Sequence, residues 1–114
     1  MNITLYESEL LDENGKLFFK RSVNCSFDSK GDLIVYCCDI GTPVKSFYND
    51  SGVEFYIVIK ENELPTLRLL LKTQSNSEEL LAALRLKFIG ENCFNDIKAY
   101  CTQNNIKHEF SVWR

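Results

Sequence analysis

Val53-Glu54-Phe55-Tyr56-Ile57-Val58-Ile59-Lys60 is the stretch on which the fold turns. It is dense in β-branched and aromatic residues, which suit a pleated, half-buried surface. It also alternates. Val53, Phe55, Ile57 and Ile59 point to one side; Glu54, Tyr56, Val58 and Lys60 point to the other. One face is core and the other amphipathic, so the stretch reads as a central strand, with strands before it and helices after it.

Working back from it, Asn49-Asp50-Ser51-Gly52 is a polar turn. Val44 to Tyr48 reads as a short helix, with Thr42 as N-cap and Pro43 at the first helical position. Leu33 to Ile40 is apolar at nearly every position and reads as a largely buried strand, broken by Gly41-Thr42-Pro43. Asp28-Ser29-Lys30-Gly31-Asp32 is a second polar turn. Leu17 to Phe27 alternates, with Leu17, Phe19, Val23, Cys25 and Phe27 on one face, interrupted by Arg21. Asn14-Gly15 is a hairpin signal. Ile3 to Leu11 alternates loosely; it reads either as the first arm of that hairpin or as a helical turn over Glu7 to Glu13 capped by Gly15.

Working forward, the period becomes helical. Glu61-Asn62-Glu63 places acids where a helix N-terminus favours them, and Pro65 fits a first turn. Leu64, Leu67, Leu70 and Leu71 form a stripe. Asn76 with Glu79 resembles a capping box; Leu80, Leu81, Leu84 and Phe88 line the helix it opens, and Gly90 ends it. Asn92 caps a third helix, in which Phe94, Ile97 and Cys101 align, and Asn104-Asn105 ends that one. Ile106 to Trp113 alternates again as a strand. The pattern predicts a single α+β domain over residues 1–114: a mostly antiparallel sheet of about five strands with three helices packed on one face.

The sheet face away from the helices is then expected to display Lys20, Ser22, Asn24, Glu54, Tyr56, Lys60, Lys107, Glu109 and Trp113. A mixed charged face with a Tyr and a Trp fits a docking surface. It equally fits a solvated sheet with ordinary cross-strand pairs.

At 114 residues, 45% hydrophobic and 25% charged, the composition is that of an ordinary globular domain. The formal charge of −3 argues against a nucleic-acid partner, whose phosphates demand Lys and Arg, and is compatible with a basic protein partner. The Met1-Asn2-Ile3-Thr4 start has no basic and apolar leader pattern, and no apolar run approaches the ~18 residues of a membrane span. Five cysteines, an odd number, with no export signal, point to free thiols in a reducing, cytoplasmic setting.

Chemistry is not announced. The single histidine, His108, falls on the expected core face of the last strand and reads as structural. A Cys-His pair with Cys25 or Cys37 is the enzymatic alternative. There is no C-x-x-C and no glycine-rich phosphate loop, and Cys37-Cys38 point to opposite faces. No catalytic residue, metal ligand or cofactor is assigned. Charge is more informative. Up to Ile57 there are nine acids and five bases; beyond it there are seven acids and eight bases. Turns at one end of the sheet would gather Asp28, Asp32 and Asp50 into a negative field. The simpler reading is that Asp is common in turns because its side chain bonds the nearby backbone.

Gly31-Asp32-Leu33, Asp39-Ile40-Gly41 and Glu54-Phe55-Tyr56, with leucine-rich helices and a final Ile106-Lys107-His108-Glu109-Phe110, resemble small bacterial immunity proteins of polymorphic or contact-dependent growth-inhibition toxin systems. The resemblance runs from Lys16 onward and lies in spacing, with no catalytic motif. It implies a cytoplasmic, non-enzymatic inhibitor that binds one cognate toxin domain, often a nuclease with a basic cleft, with neither nucleic acid nor membrane as partner. The contacts expected on this reading come from Asp28, Asp32, Asp39, Asp50 and Glu54, with Tyr48, Tyr56 and Trp113 as apolar anchors. A small intracellular enzyme and a general adaptor or ligand-binding module are the competing functions.

Overall fold

The computed structural model describes residues 2–48 and 52–114, without the side chains of Phe47 and Tyr48. The chain makes a five-stranded antiparallel meander in the order β1-β2-β3-β4-β5: β1 Asn2–Leu11, β2 Leu17–Phe27, β3 Leu33–Gly41, β4 Gly52–Ile59 and β5 Glu109–Trp113. The α+β class expected from the sequence is the one observed. Helix α1 (Thr42–Tyr48) sits between β3 and β4. A 3-10 turn (Glu61–Glu63), then α2 (Leu64–Leu71), α3 (Ser77–Lys87) and α4 (Cys93–Gln103), separate β4 from β5.

Register fixes which side chains share a face. Val23, Cys37 and Phe55 lie opposite one another across three strands, as do Cys25, Val35 and Ile57. These residues, with Leu33 and Ile59, meet Leu64, Leu67, Leu80, Leu81, Leu84, Phe88, Phe94 and Ile97 from the helices in one apolar core. Each fully buried Leu or Ile contributes on the order of 1.5–3 kcal/mol by leaving water. In β1, a register shift between Thr4 and Tyr6 adds one residue, and Ile3, Leu5 and Tyr6 all reach the core margin.

The turns follow their residues. Asp12 Oδ1 accepts from the N–H groups of Asn14 and Lys16, and Gly15 takes the left-handed φ of 78°. Asp28 Oδ1 does the same for Lys30 and Asp32. Gly41, at φ 132° opposite Phe19, is pressed against the Phe18 carbonyl, so any side chain there collides with backbone. Asn76 caps α3, accepting from Glu78 at 2.8 Å and Glu79 at 3.4 Å. Glu79 bonds the Gln74 N–H rather than closing the capping box on Asn76.

Some expectations shift. Ile3 to Leu11 is a strand, not a helical turn. Lys60 and Lys107 fall just outside the strands, since β4 ends at Ile59 and β5 begins at Glu109. His108 is therefore not a core-strand residue: it is half-buried and its Nδ1 donates to the Ile106 carbonyl at 2.9 Å. Leu70, assigned to a core stripe, is 39% exposed. Asn92 makes no side-chain cap. Among the described residues, no helix is long and apolar enough to cross a membrane.

Candidate functional site: the uncovered sheet face

The face of the sheet away from the core is built by alternation alone. β2 contributes Lys20, Ser22, Asn24 and Ser26; β3 contributes Ile34, Tyr36, Cys38 and Ile40; β4 contributes Glu54, Tyr56 and Val58; β5 contributes Glu109, Ser111 and Trp113. Tyr36 lies directly opposite Tyr56, with ring centroids 5.0 Å apart and a 50° tilt. Ile34 pairs with Val58, and Glu54 lies between Cys38 and Trp113. Tyr56 donates its hydroxyl to Glu54 Oε2 at 2.9 Å. Burial, then Glu54, pushes the Tyr56 phenol up; burial, then Cys38 and Glu54, does so for Tyr36. Both phenols therefore stay protonated donors across the physiological range.

The face is graded. On the β1–β2 side it is charged, with Lys20 within 3.7 Å of Glu7 and 3.6 Å of Glu9. On the β3–β5 side it is aromatic and apolar, and Trp113 is 63% exposed. A shallow depression of about 490 Å³ runs among Ile34, Glu54, Tyr56, Val58, Ser111 and Trp113. A neighbouring one of about 350 Å³ opens where Gly52 faces Ile40. Open, shallow and aromatic, these hollows suit protruding side chains of a partner better than an enclosed small molecule.

The sequence-predicted contact residues are dispersed. Glu54, Tyr56 and Trp113 come together on this face. Asp28 is exposed in the β2–β3 turn. Asp32 is buried beside it, with its oxygens on the Glu61 N–H at 2.8 Å and Lys60 Nζ at 3.4 Å. Asp39 is buried on the opposite, helix-covered face, where it takes a two-pronged ion pair from Arg21: Nε to Oδ1 at 2.7 Å and Nη2 to Oδ2 at 2.8 Å. Neither buried Asp is free to meet a partner. The expected gathering of Asp28, Asp32 and Asp50 turns on Asp50, which lies outside the described residues. Tyr48 lies in α1, but its side chain, like all of Asp50, is outside the described residues. The face's own acids are Glu7, Glu9, Glu54 and Glu109.

Sequence reasoning missed Ile34, Tyr36, Cys38 and Ile40. β3 is apolar on both faces, so alternation gave no contrast; only the register across to Tyr56 identifies the Tyr pair.

Behind the sheet, Arg21 and Asp39 line a cavity of about 270 Å³ with Cys37, Glu91, Asn95 and three phenylalanines, Phe55, Phe94 and Phe110. Arg21 Nη1 donates to the Glu91 carbonyl at 3.1 Å and ties the α3–α4 link to β2. Burial pushes the Cys37 and Cys25 thiols up to about 12, the reverse of what a nucleophile needs. Among the described residues, no group of three His, Cys, Asp or Glu side chains is arranged to hold a metal ion.

No protein-family profile matches the chain, and neither a curated protein nor a solved structure is significantly similar to it.

Proposed function

We propose that the chain is an immunity-type inhibitor that binds a basic toxin domain through the uncovered sheet face and blocks its active site. The observation that carries the reading is the contiguous strip of Tyr36, Tyr56 and Trp113, flanked by Ile34 and Val58, with Glu54 at its centre. Tyr and Trp supply large contact area at small entropic cost. Glu54 and Glu109 add the negative charge that steers a cleft lined with Lys and Arg. On this reading the protein works by occupancy, needs no cofactor and acts in the cytoplasm of the cell it protects.

The test is co-purification with the product of the adjacent gene, followed by protection assays on variants. Tyr56→Ala and Trp113→Ala are expected to raise the dissociation rate, each costing about 2 kcal/mol if it is a hot spot. Glu54→Lys is expected to slow association and weaken its salt dependence. Failure to form any complex with that product counts against the inhibitor reading. Folded variants that bind and protect at the wild-type level rule out this face.

A further inference from the structure

We infer that β5 pairs edge to edge with β5 of a second copy, joining two meanders into one continuous sheet around a two-fold axis. The inference is independent of the toxin reading.

It begins with the two edges of the sheet, which differ. β1 is interrupted by two register shifts and carries Glu7 and Glu9. Its outer edge is thereby blunted against strand addition. β5 has no register shift and a single acid, Glu109. It is a regular five-residue strand without Pro, Gly or Lys. Among the described residues, its only strand partner is β4, and no backbone hydrogen bond ties it to a turn or loop. All five residues are exposed, including Phe110 at 42%, Val112 at 41% and Trp113 at 63%. An open strand edge is a row of backbone donors and acceptors that only another strand satisfies geometrically.

The identity of that strand follows from self-complementarity. Antiparallel pairing about Ser111 uses all five residues of both copies and sets Ser111 against Ser111. Phe110 then faces Val112 of the second copy, a favoured aromatic and β-branched pair. Glu109 faces Trp113, so the strand's one charge never meets its like. Shifting the register by two residues leaves part of each strand unpaired. A head-to-tail contact of β5 with β1 would have to form on a bulged edge that carries Glu7 and Glu9. Unlike that contact, the β5–β5 contact is isologous and closes at two copies. The helical layers then lie on the same side, and the two uncovered faces merge.

The experiment is sedimentation equilibrium on the intact protein over a concentration series into the millimolar range. Wild type is expected to reach twice the 13.2 kDa chain mass. Ser111→Lys and Ser111→Glu each place like charges opposite at the axis. Each alone is expected to raise the dissociation constant about fivefold, and an equimolar mixture to recover wild-type association or better. Ser111 is exposed and outside the core, and circular dichroism checks that both variants fold. A wild type that stays at 13.2 kDa throughout overturns the inference. So does a dimer indifferent to both charges, which would lie at another surface, or a ladder of larger species, which would mean that the contact does not close.

Discussion

Four of the five cysteines, Cys25, Cys37, Cys93 and Cys101, are at most 3% exposed and behave as small apolar residues, while Cys38 stands on the uncovered face. Labelling of the native protein with a thiol reagent is therefore expected to modify Cys38 alone, and unfolding to release the other four; rapid native labelling of more than one thiol would contradict the packing. Their burial also makes a pH statement. An unfolded thiol ionises near 9.0, whereas Cys25 and Cys37 are pushed up to about 12 and Cys101 to about 11. The folded state holds these protons more tightly. Their stabilising contribution is thus complete below pH 9 and is lost as pH rises from there through the folded values, at about 1.4 kcal/mol per pH unit for each thiol. Urea denaturation between pH 8 and 11 is expected to show that decline, with a shallower slope in Cys25→Ala than in wild type. The depth of Asp39 was not readable in the sequence, because a carboxylate in a sequence looks exposed until its Arg is found across the ladder.

At the scale of elements, the Arg21–Asp39 pair locks β2 to β3, and through the Glu91 carbonyl it also locks the sheet to the α3–α4 link. Arg21→Ala strands the carboxylate of Asp39, which is 6% exposed, at an expected cost of roughly 3–5 kcal/mol. Replacing both with apolar residues, Arg21→Met with Asp39→Leu, is expected to recover much of that loss in a double-mutant cycle. Additive costs in the cycle would mean that the pair is not coupled. The elements themselves were largely legible. β4 alternates cleanly, the second arm of the hairpin alternates apart from Arg21, and Leu80, Leu81 and Leu84 recur at helical spacing and are buried. The candidate face was legible only in part. Alternation located Tyr56 and Trp113 because their strands have one polar side. It failed in β3, where both sides are apolar, and it did not reveal that Asp32 and Asp39 are buried, because their partners Lys60 and Arg21 are distant in sequence.

The whole molecule is elongated, 48 by 27 by 23 Å, and its radius of gyration of 15.2 Å exceeds the roughly 13 Å expected of a compact chain this long. The tip of the β1–β2 hairpin contributes, holding Leu10, Leu11 and Leu17 at 57%, 55% and 44% exposure. Stability is correspondingly uneven. Native-state hydrogen exchange is expected to find the slowest amides in β3, which is paired on both sides and backed by the core, and the fastest around Asp12 to Lys16. Comparable protection at the two places would mean that the hairpin tip is packed against something. Because every strand bonds its neighbour in sequence, each of β2 to β5 finds its partner already synthesised when it is made. β1 to β4 are all synthesised before α2 begins. Until the helices have followed, Val23, Cys25, Val35 and Ile57 have nothing over them, and the need of the chain for a chaperone is expected to be greatest in that interval. The need ends only when Phe94 and Ile97 have emerged and α4 can close down.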